Sequence, residues 1–164
     1  MITLQDASYI ICLMKENDIQ IWLDGGWAVD ALLGKQSREH NDIDLIVSND
    51  DRERLLKLIK EIGFEEVVEE YTTSNHTVWK DAQNRILDLH FVDFQPDGNV
   101  IFENEKFNLE VLEGIGIIGD CEVKCINASS QVLFHCGYVH RPTDDADVKA
   151  LCEKFGITIP EEYL

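Results

Sequence analysis

Residues 41–47 read NDIDLIV, and the alternation of acidic and apolar side chains from Asp42 to Leu45 restricts what this chain can fold into. Read as a strand, the segment puts Asp42 and Asp44 on one face and turns Ile43 and Leu45 the other way, into a core. Two carboxylates on one strand face make a hard-cation site. Mg²⁺ suits it, because that ion takes oxygen ligands, binds through one or two carboxylates and fills the rest of its shell with water and phosphate oxygens. The implied substrate is a nucleoside triphosphate. Upstream lies GGWAVDALLG, a glycine pair ahead of a helix-like segment. Gly25 and Gly26 lack a Cβ, so the backbone there can approach a triphosphate, and the helix N-terminus that follows offers it free N–H groups. Each feature alone has an ordinary explanation, a tight turn for the glycines and a solvated acidic face for the aspartates. Their combination points to chemistry.

Around this segment the chain alternates helices and strands. Asp6 can cap a first helix in which Ala7, Ile10, Ile11 and Met14 share one face, ending near Asn17. A short strand is predicted at residues 19–23, a helix at 27–33 stopped by Gly34, and a polar loop at 35–41. After the aspartate-bearing strand, Ser48 or Asp50 opens a helix with the apolar stripe Leu55, Leu58, Ile59 and Ile62. Strands follow at 64–70, 76–80 and 85–92, the last two joined through residues 81–84 as a hairpin, with shorter ones at 100–102 and 122–126. Ser129 or Ser130 starts another helix carrying Val132, Leu133 and Cys136, and Arg141-Pro142-Thr143 breaks the chain before a last helix at 144–155. The order predicts an α/β (α+β) fold with a mixed sheet, helices mainly on one face, and C-terminal helices from about residue 129 beside the site. With 164 residues the chain has the size of one domain, spanning 1–164.

The formal charge of −18 excludes a large nucleic-acid or anionic-membrane surface and favours a cationic small-molecule partner. The N-terminus lacks a charged region followed by a long apolar run, and no segment approaches the roughly 18 apolar residues needed to span a bilayer. Five cysteines, an odd number, fit a cytoplasmic protein with reduced thiols. Cys121 and Cys125 on one strand would sit about 13 Å apart, too far to share a metal ion. Cys12, Cys136 and Cys152 lie in helical apolar patterns and read as small buried residues.

A metal pair needs a third acidic ligand, and Asp88 in RILDLHF supplies it. Leu87 and Leu89 face inward, so Asp88 and His90 share the outer face. A strand beside Asp42 and Asp44 would bring three carboxylates and an imidazole together. Arg38 and His40 sit in the loop entering the aspartate strand, where a guanidinium could hold phosphate oxygens and an imidazole could orient a carboxylate or phosphate. Asp30 reads as a partner for Arg38 or a turn cap. His135 and the aromatics Trp22, Trp79, Phe91 and Phe134 read as core. Trp27, Tyr138, His140 and Lys149 could each reach the cleft from a bordering helix.

Gly25-Gly26, then Asp42-Ile43-Asp44, then Asp88 on a later strand resembles the pattern of the DNA polymerase β-like nucleotidyltransferase superfamily. WLDGGWAVDALLGKQSREHNDIDL (22–45), ILDLHF (86–91) and QVLFHCGY (131–138) are similar to the small antibiotic nucleotidyltransferases, above all the short lincosamide enzymes, with aminoglycoside 2''-adenylyltransferases as relatives. The resemblance covers most of the chain and is weakest from Asn99 to Cys125. It implies that Asp42 and Asp44 hold Mg²⁺, that Asp88 completes the metal site, and that Gly25, Gly26, Arg38 and His40 bind nucleotide, Arg38 and His40 matching the family's Arg-x-His-x-Asp-x-Asp arrangement. His90, Tyr138 and Lys149 become the acceptor-binding set. The implied reaction moves AMP from ATP to a hydroxyl of a cationic lincosamide antibiotic with two Mg²⁺ ions, Asp88 as general base and pyrophosphate leaving, which would inactivate the drug. An aminoglycoside or a protein side chain is the alternative acceptor, and a catalytically silent nucleotide-binding domain is the alternative class. A lone domain leaves one side of its cleft open, which a second protomer could close as a homodimer.

Overall fold

Thr3 and Asp6 exchange hydrogen bonds, Asp6 N–H to Thr3 Oγ1 at 3.1 Å and Thr3 N–H to Asp6 Oδ2 at 3.0 Å, which starts helix α1 (Leu4–Glu16). The cap is therefore Thr3, with Asp6 completing a capping box three residues into the motif. Ala7, Ile10, Ile11 and Met14 are all buried, as their spacing predicts. The computed structural model describes residues 1–164. Strand β1 (Ile21–Asp24) runs directly into α2 (Gly25–Leu33), so the glycine pair is the first turn of the helix and does not precede it. Gly34 closes α2 in the left-handed region, at φ 76°. The polar loop then enters β2 (Asp42–Ser48).

Ser48 caps a single 3-10 turn, Asn49–Asp51, ahead of α3 (Arg52–Glu61), in which Leu55 and Ile59 are buried. Strands β3 (Glu65–Val67), β4 (His76–Lys80) and β5 (Ile86–Phe94) follow, β3 shorter than its apolar pattern predicts. Asp81 organises the β4–β5 turn by accepting from the N–H groups of Gln83 and Arg85, each at 2.9 Å, and Asn84 takes φ +60°. Next come β6 (Asn99–Phe102), β7 (Glu105–Asn108), β8 (Gly114–Ile118) and β9 (Cys121–Cys125). Helix α4 (Ala128–Phe134) is capped by Asn127, not by a serine, and α5 (Pro142–Phe155) begins with the proline.

The strands form one mixed sheet ordered β3-β4-β5-β2-β1-β9-β8, with the β6–β7 hairpin attached through β5. The β2–β5 and β1–β9 pairs are parallel and the others antiparallel. Inward residues of the central strands, among them Leu23, Ile43, Leu45, Leu87 and Leu89, pack against the helices in the main core. The opposite face carries a smaller cluster of Trp22, Ile46, Val92, Val100, Leu112 and Ile126, covered by the hairpin and the turn behind it. A mixed sheet with its helices mainly on one face is the predicted layering.

Strands β7 and β8 are additions to the sequence reading. In β8 the alternation is inverted: Gly114 and Gly116 face inward while Ile115 and Ile117 are exposed. A Cβ on Gly116 would lie 2.3 Å from Ala31 C and 2.4 Å from Ala31 O, because α2 rests directly on this strand. Gly116→Ala should therefore push α2 outward and cost about 1–3 kcal/mol in urea unfolding, typical of overpacking. Unchanged stability would mean that α2 can shift freely. Cysteine placement matches expectation at Cys152 and departs from it at Cys12 and Cys136, which are only half-buried. Cys125 and Cys152 are buried, whereas half-buried Cys12 and Cys121 bring their sulfurs to 2.7 Å across α1 and β9. No helix is long and apolar enough to cross a membrane.

Candidate active site

Strand register builds the site. Asp24 lies opposite Asp44 across the antiparallel β1–β2 pair, and Asp44 lies beside Asp88 across the parallel β2–β5 pair. Cross-strand partners share a face, so one row carries three aspartates, and Asp42 joins them two residues along β2. Ligand oxygens of Asp42, Asp44 and Asp88 all lie within 4.8 Å of one another. Burial, followed by the charge of Asp88, raises the Asp42 pKa, with Arg141 and His40 acting in the opposite sense. Burial again dominates at Asp44, and Asp42, Asp24 and Asp88 add to it, pushing that carboxyl well above its ordinary value. Carboxylates gathered at such electrostatic cost fit a hard divalent cation, which would offset both causes at once.

The glycine pair brings the start of α2 against this cluster. Gly25 has φ +58°, and a Cβ there would sit 2.4 Å from Asp44 Oδ2. A Cβ on Gly26 would sit 2.4 Å from His40 Nδ1 and 2.7 Å from Arg38 Nη2. The room a side chain would need is filled by the site's own residues. Asp24 caps the helix, its Oδ1 accepting from Gly25 N–H at 2.6 Å, and Gln131 Nε2 donates to Gly25 O at 3.1 Å.

Behind the glycines runs a buried polar chain. Arg38 Nη1 can only donate, so His40 Nδ1 accepts at 3.1 Å and the ring proton sits on Nε2, donating to Asp30 Oδ2 at 2.5 Å. Asp30 is fully buried and also accepts from Ser37 N–H at 2.9 Å, so its partners are His40 and Ser37, not Arg38. The partner of Arg38 is Asp147 on α5, reached at 2.8 Å through Nη2 and 3.2 Å through Nε. Burial works against the guanidinium's charge, but the Asp147 contacts outweigh it and raise the pKa. Trp27, fully buried, packs its ring at a 42° tilt 4.5 Å from that of His40 and supports the chain without reaching the cleft.

On the other flank, His90 joins Asp88 on the outer face of β5 as predicted, and antiparallel pairing sets His76 opposite His90. His76 Nε2 lies 2.7 Å from Asp88 Oδ1 and 3.1 Å from His90 Nε2. His76 escaped the sequence reading as a site residue. The hairpin gave the signal, since residues equidistant from its turn face each other. Burial lowers the His90 pKa despite the nearby Asp88 charge. Below His90 a cavity of about 250 Å³ opens between the sheet and the β6–β7 hairpin, lined by Asp24, Ile46, Phe102, Glu105, Phe107 and Phe134 among others. Phe134, read as core from sequence, is a partly exposed wall of this cavity.

The remaining residues divide. Arg141, which the sequence reading passed over, is an exposed cation held by Asp144 at 3.0 Å whose charge reaches Asp42 and Asp44. His140 stacks on Tyr163 at 4.0 Å and bonds Glu162 at 2.9 Å, which ties it to the C-terminus. Tyr138 packs edge-on to His140 and is half exposed, and Lys149 lies exposed on α5. His135 is buried and satisfied, Nδ1 donating to Gln131 O at 2.7 Å.

A lincosamide resistance protein of Staphylococcus haemolyticus is 31% identical over 160 residues, covering 92% of this chain and 94% of that protein. The lincomycin-bound crystal structure of the lincosamide antibiotic adenylyltransferase LnuA superposes with a TM-score of 0.80 at 30% identity, over 96% of this chain and 99% of that one. ANT(2'')-Ia in complex with adenylyl-2''-tobramycin shares the fold at 20% identity, with a TM-score of 0.75 over 93% of this chain and 89% of that one. A sequence model of the aminoglycoside-2''-adenylyltransferase family matches residues 8–151, a span that contains the aspartate row, the glycine pair and the polar chain behind it. By that match, which spans most of its length, the chain belongs to the aminoglycoside-2''-adenylyltransferase family of nucleotidyltransferases.

Proposed function

We propose that the protein transfers AMP from ATP to a hydroxyl of a lincosamide antibiotic, inactivating the drug. The carrying observation is that the Asp42–Asp44–Asp88 cluster opens, past Asp24 and His90, onto a mostly apolar cavity with Glu105 at its rim. A lincosamide combines an apolar body with one basic amine and a sugar carrying hydroxyls, and such a cavity can take the body while the carboxylates attract the amine. An aminoglycoside, polycationic and with little apolar surface, matches that lining less well. The similarity to LnuA supports the same choice.

In this reading the acceptor hydroxyl attacks the α-phosphorus of ATP, the bond from that phosphorus to the bridging oxygen breaks, and pyrophosphate leaves. Asp88 takes the hydroxyl proton, held in place by His76. Asp42 and Asp44 would hold two Mg²⁺ ions, with Asp88 completing the shell of one. Bound there, they would polarise the acceptor and neutralise charge on the triphosphate. Arg38 and Arg141 supply the cations for the phosphate oxygens, and Gly25 and Gly26 keep the helix start close to them. His90, which lines the cavity, is assigned to the acceptor, whereas Tyr138 and Lys149 are not among the residues that line it. The 164-residue chain acts as one catalytic unit in the cytoplasm, where ATP is available, alone or as a homodimer.

The test is pyrophosphate release from ATP and Mg²⁺ with clindamycin, lincomycin, an aminoglycoside or no acceptor, for wild type and Asp42→Asn. Release should require a lincosamide and disappear in the variant. Release with the aminoglycoside alone moves the acceptor to that class, and silence with every drug favours a protein acceptor or a binding domain.

A further inference from the structure

We propose that His76, Asp88 and His90 form a binding site for a divalent transition-metal ion of the Zn²⁺ class, distinct from the carboxylate site and sharing only Asp88 with it. The three side chains stand on neighbouring strands, His76 on β4 and the other two on β5, so the rigid β4–β5 pairing sets their positions. Their ligand atoms form a triangle. His76 Nε2 is 2.7 Å from Asp88 Oδ1, His90 Nε2 is 3.4 Å from the same oxygen, and the two nitrogens are 3.1 Å apart. Donors held at 2.0–2.2 Å around a tetrahedral ion lie roughly 3.3 Å from one another. Two edges already match within a few tenths of an ångström, and the third opens by a small side-chain rotation.

Proton accounting points the same way. A neutral imidazole carries a single N–H, and if that proton sits on His76 Nε2 it is taken by Asp88. His90 Nε2 then meets a nitrogen whose hydrogen is already engaged. One cation at the centre of the triangle serves all three donors together. Imidazole nitrogens select borderline ions such as Zn²⁺ over Mg²⁺, which prefers oxygen, so the two adjacent sites differ in metal preference. The side chains of His76, Asp88 and His90 are 23%, 14% and 16% exposed, enough for an ion to enter and for water to fill an open fourth position. Phe102, edge-on to both rings at 6.3 and 5.4 Å, and Tyr71 at 5.1 Å from His76 wall the site. An ion there would occupy the Asp88 oxygen that takes the acceptor proton, so Zn²⁺ would inhibit transfer. That consequence, unlike the site itself, rests on the function proposed above.

Binding is read without substrate, which separates failure of this proposal from failure of the transfer reaction. Co²⁺, whose visible absorption reports tetrahedral nitrogen and oxygen ligation, is titrated into the metal-free full chain in excess Mg²⁺. Wild type, Asp42→Asn, His76→Gln and His90→Gln are compared. Wild type and Asp42→Asn should show the bands, and each histidine substitution, removing a ligand outright, should weaken binding by about 100-fold or more, at least as much as losing an outer-shell partner would. Should either variant misfold, histidine ¹H–¹⁵N spectra of the wild type decide. Of the five imidazoles, Zn²⁺ should shift those of His76 and His90 and leave His40, His135 and His140 in place. Absence of Co²⁺ bands in wild type, bands that survive both histidine substitutions, or Zn²⁺ shifts confined to other histidines would overturn the proposal.

Discussion

Asp44→Asn should reduce acceptor-dependent pyrophosphate release by about 10³-fold or more and, at the same time, raise the melting temperature of the metal-free protein. The first effect follows from removing a carboxylate that both metal ions would share. The second follows from electrostatics. Burial, and after it the charges of Asp42, Asp24 and Asp88, hold the Asp44 pKa well above its ordinary value of 3.8. A carboxyl whose folded-state pKa is raised contributes stability that is complete below the unfolded pKa and is lost as pH rises through the folded one. At neutral pH, far above its unfolded-state value, the metal-free fold therefore bears the cost of an Asp44 that resists ionisation. Asparagine keeps the shape and removes the charge.

Thermal melts in EDTA and in Mg²⁺, at acidic and neutral pH, check both halves. Wild type should gain stability from Mg²⁺ most at neutral pH and least in acid, where protons compete for the same oxygens. The variant should melt higher than wild type in EDTA and respond little to Mg²⁺. A variant that melted lower in EDTA would show that Asp44 supports the fold through contacts outweighing its charge.

His40→Ala should destabilise the protein by about 3–5 kcal/mol, because it removes the principal hydrogen-bond donor of a buried carboxylate and leaves a void where the ring packed. Asp30 has no solvent exposure and His40 only 4%, so water cannot readily replace the imidazole. Ser37 remains as a donor, which keeps the loss short of what a wholly unpaired charge would cost. The truncation also removes the ring packed against Trp27 and an acceptor for Arg38. For a chain of this size the melting temperature should fall by about 10 °C. His40→Gln, whose amide can still donate to Asp30, should recover part of the loss. If alanine and glutamine were equally damaging, ring packing rather than the hydrogen bond would be the source. Activity should fall in both, since the loop that His40 anchors leads straight into Asp42.

The chemistry was more legible in the sequence than the cavity that serves it. Asp44 and Asp88 could be placed because each lies between inward apolar residues of a central strand, where side-chain alternation leaves one arrangement, and Asp42 follows from Asp44 two residues along. The stop at Gly34 was legible because glycine tolerates the left-handed region, and the buried stripe of α1 because its apolar residues recur at helical spacing. Strand β8 was not, since two of its inward positions are glycines, Gly116 crowded by α2 and Gly114 by the backbone of Cys125 to Asn127, and the exposed isoleucines invert the pattern on which sequence reading relies. The pairing of Arg38 with Asp147 spans 109 residues and depends on how α5 docks, which no local pattern records. The cavity draws its walls from separate strands and from α4. Phe134 therefore read as an ordinary core residue, though it faces the space where an acceptor would lie.

The aspartate row has a kinetic consequence. Asp24, Asp44 and Asp88 come from three strands, and Asp44 reaches Asp88 only when the parallel β2–β5 pair closes around the crossover formed by α3, β3 and β4. Parallel pairings of this range form slowly, because loop-closure entropy is lost before the contacts compensate it. A half-assembled chain would thus contain every ligand yet hold no ion, and Mg²⁺ affinity should emerge during refolding together with the central sheet and not before it.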